Sequence, residues 1–379
     1  MEKLILGNMD NSQNKYIWSQ ITEAAKNGQA VLANIEGFIE EHQASELNAI
    51  MEESHRPQFV LMTTHAGANE FKYDPFHNKN QEECLTIARS FVYEGSEANQ
   101  YYKINVGHSV NEYYNSYAIH CIQDVIKAHF CVKPNGLSIL ELIEYFTNEK
   151  ALNTLLQNAK QKEYNALYFN RFIVENEIDS NKYQKDLNIV IRMFDLLKLE
   201  YGAMFTLSND ELPKLNTQQT LVDNGVIIVI NQKENEYNQI EQLFTQLFYA
   251  DVNIYLSKVV NRNLETRSDT LLIIENHFNN AGLVSTDNAK DIIRLGRKLK
   301  ISLYESYDYY RSRKLSASFL EILKVAHTKI IFKSTKNAEG IAPHNNHELL
   351  SENEKKIISR LQNDEYLLVS QSQQEVRKQ

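Results

Sequence analysis

Short apolar runs alternate with amphipathic segments over residues 4–64 of the chain, and the same alternation returns after residue 224. Compact apolar runs are typical of strands buried on both faces of a parallel sheet, and the segments between them have the period of helices. The predicted strands are residues 4–6, 30–37, 58–64, 225–231, 269–276, 301–306 and 328–334. The predicted helices are residues 17–25, 39–54, 237–260 and 286–299. This order predicts an α/β fold in which helices cover both faces of a mostly parallel sheet.

The pattern changes between residues 110 and 200, where amphipathic helices follow one another and no convincing strand interrupts them. Sheet elements on both sides of this block predict one discontinuous α/β domain that carries an all-helical insertion. The predicted limits are 1–109 and 201–370 for the two parts of the α/β domain and 110–200 for the insertion. The polar residues 371–379 are predicted to form a frayed tail.

Composition excludes several kinds of protein. The three cysteines are odd in number and form no C-x-x-C pair, which argues against a disulfide framework and a zinc site. No segment approaches the roughly 18 apolar residues of a membrane span, and the N-terminus does not have the pattern of a signal peptide. We therefore predict a cytoplasmic protein that only its partners could hold at the inner membrane.

The segment after the first predicted strand has the position of a phosphate-binding loop. Such a loop, G-x-x-x-x-G-K-[ST], joins a strand to a helix, and its lysine and hydroxyl hold phosphate and magnesium. The corresponding residues here are Gly7, Asn8, Met9, Asp10, Asn11, Ser12, Gln13 and Asn14. Gln13 replaces the lysine, Asn14 replaces the hydroxyl, and Asp10 adds a carboxylate that repels phosphate. Lys15 is no substitute, because a shift of two helical residues rotates it by roughly 200°.

A second acidic motif is altered in a matching way. Four apolar residues, 271–274, lead into Glu275 and Asn276, where an ATPase strand ends in aspartate and glutamate. Glu275 keeps a carboxylate for a metal, but Asn276 cannot act as a general base. The two motifs together predict a vestigial nucleotide pocket with no catalytic residue, no bound ATP or magnesium, and no enzymatic activity.

The order of these segments resembles that of the coupling ATPases of type IV secretion and conjugation systems, the TraD/TraG class, and within it the Dot/Icm coupling protein. Residues 4–37 have the family's spacing from first strand to second strand, and residues 69–83 resemble its asparagine-proline-phenylalanine/leucine segment. Ser306, Tyr307 and Asp308 stand where the family has its sensor glutamine. The resemblance implies a RecA-like, P-loop NTPase-type fold with an all-α domain.

Two other groups of residues are candidates for binding. Tyr309, Tyr310, Arg311 and Arg313 interleave rings with basic groups, as in clamps for single-stranded nucleic acid or for a protein partner. The net charge of −9 favours the alternative, a polar rim that does not attract nucleic acid. His344 and His347 have a metal-ligand spacing, but a solvated loop is the favoured interpretation and no metal is predicted.

The resemblance and the altered motifs together predict a function. The favoured hypothesis is a pseudo-ATPase that serves as a scaffold or adaptor, with protein components of a type IV secretion or conjugation system as its partners. One alternative is a subunit of a mixed ring whose active partner completes the ATPase site. The other is a module that binds single-stranded nucleic acid through Tyr309, Arg311 and Arg313.

Overall fold

A computed structural model describes most of the chain as two compact units. The described residues are 2–7, 11–36, 39–62, 71–91, 108–166, 180–205, 213–231, 239–261, 270–276, 294–295, 302–308, 328–332, 351–362, 365–370 and 374–378. The sheet unit contains Met1–Thr63, Thr217–Glu236 and Tyr255–Gln379. The helical unit contains Thr64–Asn216 and Tyr237–Ile254. The domain limits given by the sequence pattern stay a prediction.

In the described residues, the sheet unit contains nine strands in the order β11-β10-β9-β1-β8-β7-β2-β6-β3. Their bounds are β1 Glu2–Gly7, β2 Ala30–Glu36, β3 Gln58–Met62, β6 Val226–Asn231, β7 Thr270–Asn276, β8 Ser302–Asp308, β9 Thr328–Phe332, β10 Glu365–Ser370 and β11 Gln374–Lys378. All pairs from β9 to β3 are parallel, and only β10 and β11 are antiparallel to their neighbours. The prediction of a mostly parallel sheet is confirmed.

The last strand, β11, lies within the segment 371–379 that is predicted to be a frayed tail. Gln374–Lys378 pairs with β10 in antiparallel register, with Leu367 opposite Val376, although the polar sequence predicts fraying from residue 371. The reason is that an edge strand needs only one partner and can be polar, and charged residues on such an edge discourage aggregation. The predicted helix 286–299 lies outside the described residues, except for Arg294 and Leu295, which are helical.

Helix α1 (Asn11–Lys26) follows β1 and forms part of the core of the sheet unit. Its apolar side chains recur at helical spacing, and Ile17, Ile21 and Ala25 are almost completely buried against the strands. The other helices of this unit are α2 Glu41–Glu53, α8 Thr217–Val222 and α10 Glu352–Ile358. The position of α1 in the core fixes the start of the helix relative to the end of β1.

The helical unit contains α3 Gln81–Ala88, α4 His108–Val132, α5 Ile139–Thr147, α6 Glu149–Gln161, α7 Ser180–Phe205 and the first part of α9, Gln239–Asn261. Asn80, Ser138 and Asn148 cap the starts of α3, α5 and α6, which explains where these helices begin. Two short strands, β4 Lys72–Tyr73 and β5 Lys214–Leu215, form a separate parallel pair. Within the described residues, no helix is long and apolar enough to span a membrane.

Candidate nucleotide site

The central strand β1 ends at the carboxyl edge of the sheet, and α1 begins four residues later. β1 ends at Gly7 and α1 begins at Asn11, so the segment predicted as a phosphate-binding loop joins a parallel strand to a helix N-terminus. The first N–H groups of a helix are free to bind an anion, and the helix dipole favours negative charge there. The strand and the helix N-terminus that flank an anion site of this kind are therefore present.

The topology of the sheet reverses at β1. The chain leaves β1 toward β2 on one side, and it leaves β9 toward β10 on the other side. In open α/β sheets, ligands bind outside the carboxyl ends of the strands where the order of connections reverses. The strand order and the sequence motif therefore both predict a ligand site outside the carboxyl end of β1.

The strand register brings the second motif to the same edge. β8 lies between β1 and β7, with Gly7 opposite Asp308 and with Glu275 and Asn276 opposite Ser306 and Tyr307. Neighbouring strands are about 4.8 Å apart, which puts the ends of β1 and β7 about 10 Å from each other. The structure therefore places Gly7, the start of α1, and the Glu275–Asn276 pair around one edge.

The residue types at this edge differ from those that hold a nucleotide. Gln13 and Asn14, in the first turn of α1, are neutral where phosphate recognition uses an ammonium group and a hydroxyl. Two acidic residues lie at the ends of neighbouring strands, since Glu275 is the second-last residue of β7 and Asp308 is the last residue of β8. Among the described residues of the strand ends and the first turn of α1, carboxylates without a lysine disfavour phosphate oxygens, because like charges repel at short range.

Only some of the other predicted site residues belong to the described part of the chain. Lys15 is exposed, and Asn14 beside it is half-buried. Asn8 and Asp10 lie outside the described residues, and so does the candidate clamp Tyr309, Tyr310, Arg311 and Arg313. His344 and His347 lie outside them too. In the described part of the chain, no group of three or more histidine, cysteine, aspartate or glutamate residues is placed to hold a metal ion.

Sequence reasoning misses a buried polar cluster in the helical unit. The cluster consists of Tyr73, Asp74, Lys79 and Asp251, all less than a tenth exposed. Lys79 Nζ lies 2.7 Å from Asp251 Oδ1, and the Tyr73 hydroxyl donates to Asp251 Oδ2 at 3.2 Å. The only signal in the sequence was the segment around Asp74, because Asp251 lies in a helix far along the chain.

Known structures share this architecture. No protein-family model matches the sequence, and no curated protein is significantly similar to it. The unbound bacterial conjugative coupling protein TrwBΔN70 is 11% identical, with a TM-score of 0.54 over 99% of this chain and 83% of that chain. VirB4 of Thermoanaerobacter pseudethanolicus is 13% identical, with a TM-score of 0.51 over 100% of this chain and 88% of that chain. The chain has the fold of these proteins.

This fold is an α/β RecA-like fold, and it corrects one prediction. TrwB in complex with the ATP analogue ADPNP is 10% identical to the chain, with a TM-score of 0.53 over 100% of this chain and 84% of that chain. TrwB has also been solved with the GTP analogue GDPNP. The prediction that the chain is not an enzyme is wrong, because the chain has the fold of NTPases. Missing residues in one chain are a weak argument against activity, since a neighbouring subunit can supply catalytic groups in trans.

Proposed function

We propose that this chain is a protein-binding subunit, a scaffold or adaptor, of a type IV secretion or conjugation apparatus. The observation that carries the proposal is the shared fold, which extends over 99% of this chain and 83% of the conjugative coupling protein TrwB. The likeness to TrwB includes both the sheet unit and the helical unit. A RecA-like sheet by itself would say less, because proteins of many functions share it. In this role, its partners would hold the chain at the inner membrane.

We further propose that the isolated chain binds ATP and magnesium only weakly. β1 and α1 flank the pocket, but Gln13 and Asn14 supply neither the charge nor the hydroxyl that a triphosphate requires. Glu275 and Asp308 add negative charge at the ends of β7 and β8, on the same edge as Gly7. We therefore expect the purified chain to contain no bound ATP or magnesium.

A charge-restored variant tests this proposal. We expect Gln13→Lys/Asn14→Thr to bind ATP·Mg²⁺ at least about tenfold more tightly than the natural chain, since charge-assisted hydrogen bonds contribute about 1.4 kcal/mol or more. Isothermal titration with ATP and with a non-hydrolysable analogue measures both affinities. Gln20→Lys is the matched control, because it adds the same charge to α1 away from its first turn and should not create binding. Micromolar affinity of the natural chain would show that the pocket works without a lysine.

A second candidate function, a subunit of a mixed ATPase ring, is favoured by the nucleotide analogues bound to TrwB. In such a ring, an active partner supplies the lysine and the catalytic glutamate, and this chain supplies an interface. We expect the ATP turnover of an intact coupling ATPase from the same apparatus to rise several-fold and to saturate at a fixed ratio of the two chains.

ATP turnover is measured for this chain alone, for the partner ATPase alone, and for mixtures of the two. Partner turnover that stays constant at saturating mixing would rule out a mixed ring and leave the scaffold. Turnover by the chain alone that disappears in Glu275→Gln would instead show that this chain hydrolyses ATP by itself, which would contradict weak binding of ATP.

A further inference from the structure

Strand β11 forms one edge of the sheet. Among the described residues, β10 is the only strand beside it, and the two strands are antiparallel. Within this part of the chain, the other side of β11 therefore presents backbone N–H and C=O groups that a further strand can bind. The side chain of Asn353 in α10 donates to the Gln374 side chain at 3.2 Å, which ties the start of β11 to a helix of the same unit.

The charges of β11 are complementary to those of a second copy of the strand. Its five residues are Gln-Glu-Val-Arg-Lys, with Val376 at the centre. When two copies pair in antiparallel orientation about Val376, each Glu375 lies opposite Arg377 of the other copy. Both side chains are on one face, because Arg377 Nε and Nη2 donate to Glu375 Oε2 at 3.1 and 2.9 Å within the strand. Two copies thus bring two positive and two negative charges together on the same face.

The neighbouring registers are disfavoured by the same charges. Only every second residue of a strand directs its backbone N–H and C=O groups toward a given neighbour, so the alignment shifts in steps that keep this alternation. One such shift puts Glu375 opposite Glu375 of the other copy, and the opposite shift puts Arg377 opposite Arg377. Like charges directly opposite each other are destabilising. The register centred on Val376 avoids both repulsions.

Val376 supplies apolar surface at the centre of this register. Its side chain is 46% exposed, and it shares a face of the sheet with Leu367, the buried residue opposite it in β10. Pairing of two copies puts Val376 beside Val376 of the other copy, and β-branched residues pack well on neighbouring strands. A second copy would therefore cover apolar surface that a single chain leaves in water.

We propose that the chain forms a symmetric homodimer through β11, in which two sheets join edge to edge about Val376. A two-fold axis requires a surface that complements itself, and the charges of β11 meet this requirement. The same charges repel most other strands, which makes the contact specific. β11 lies three strands away from β1, and the dimer goes beyond the proposed adaptor role without depending on it. A five-residue edge buries less surface than a standard interface, so we expect a dissociation constant of about 1–100 µM.

Sedimentation velocity at about 1–200 µM tests the dimer on the full chain. The natural chain should change from monomer to dimer as its concentration rises. Glu375→Arg and Arg377→Glu should each weaken dimerisation at least about tenfold, since both put like charges opposite each other. An equimolar mixture of these two variants should dimerise again, because one edge is then positive and the other negative. Arg192→Glu, the same charge change at an exposed site on α7, should behave like the natural chain.

Cross-linking tests the register. In Val376→Cys, the two new side chains would lie opposite each other, with Cβ atoms about 5 Å apart. In Gln374→Cys, they would be offset by four residues, or about 13 Å along the strands. A short thiol-specific cross-linker should therefore join Val376→Cys chains and leave Gln374→Cys chains single. The natural chain, in which Cys84 and Cys121 are buried, measures the background reaction.

Several results would overturn the proposal. A natural chain that stays monomeric at about 200 µM would exclude the dimer, and association that neither charge variant weakens would assign it to another surface. A mixture that stays monomeric would contradict pairing of opposite charges. Equal cross-linking at residues 374 and 376, or none at either, would contradict the register. If the single variants disturb β11, Glu375→Arg/Arg377→Glu still decides, because it keeps the pair within the strand and the self-complementarity, and its failure to dimerise would contradict the proposal.

Discussion

A Gly225→Ala variant is expected to lose about 3 kcal/mol or more of its free energy of unfolding. An added Cβ would lie 2.7 Å from the carbonyl oxygen of Pro57 and 2.6 Å from Cγ2 of Thr220. These neighbours have little room to move, because the Pro57 carbonyl accepts the N–H of Val226 and the Gly225 N–H donates to Thr220. The Gly225 carbonyl in turn accepts the N–H of Val31, so a shift of Gly225 would strain β2 as well.

Chemical denaturation followed by fluorescence measures this loss, since Trp18 is the only tryptophan and is buried in the core of the sheet unit. Gly202→Ala provides a matched control. The nearest atom to its added Cβ is Cγ of Lys198 at 3.7 Å, and alanine is favoured over glycine in a helix by up to about 1 kcal/mol. Similar stabilities of the two variants would show that Pro57 and Thr220 move aside and that the tight contact is unimportant.

The parallel part of the sheet could be predicted because its strands are buried on both faces. β2 and β6 are apolar almost throughout, and Val31, Ala33 and Ile228 are completely buried. β10 was missed as a strand because only Leu367 is buried along its length. A half-exposed antiparallel edge strand leaves little hydrophobic signal, so its pairing depends on the neighbour more than on its own residues.

The candidate site could be located from the sequence, but its geometry could not. The motifs identify the end of β1 and the end of β7, whereas the insertion of β8 between them depends on strand order. The pairing of Gly7 with Asp308 is one consequence. Arg56 shows the same limit on a smaller scale, because its guanidinium donates to the carbonyls of Gln29, Asn224 and Ala25 from three separate segments. No local pattern predicts such contacts.

Breaking the buried ion pair of the helical unit should be at least as costly as the glycine substitution. Lys79 and Asp251 have side chains that are 6% and 4% exposed, and their charged atoms are 2.7 Å apart. Lys79→Met would remove the buried positive charge that lies 2.7 Å from the Asp251 carboxylate. Such a change typically lowers the free energy of unfolding by about 3–5 kcal/mol, because the remaining ion cannot recover its hydration.

Urea denaturation followed by far-UV circular dichroism measures this loss. Lys26→Met is a matched control, since Lys26 and Glu46 are also 2.7 Å apart but about half exposed, and exposed pairs contribute only about 0–1 kcal/mol. A double variant, Lys79→Met/Asp251→Asn, should recover much of the loss, because the neutral amide can still accept from the Tyr73 hydroxyl. Failure of the double variant to recover stability would mean that Lys79 contributes through packing of its aliphatic chain, since neutralising Asp251 would then have changed nothing.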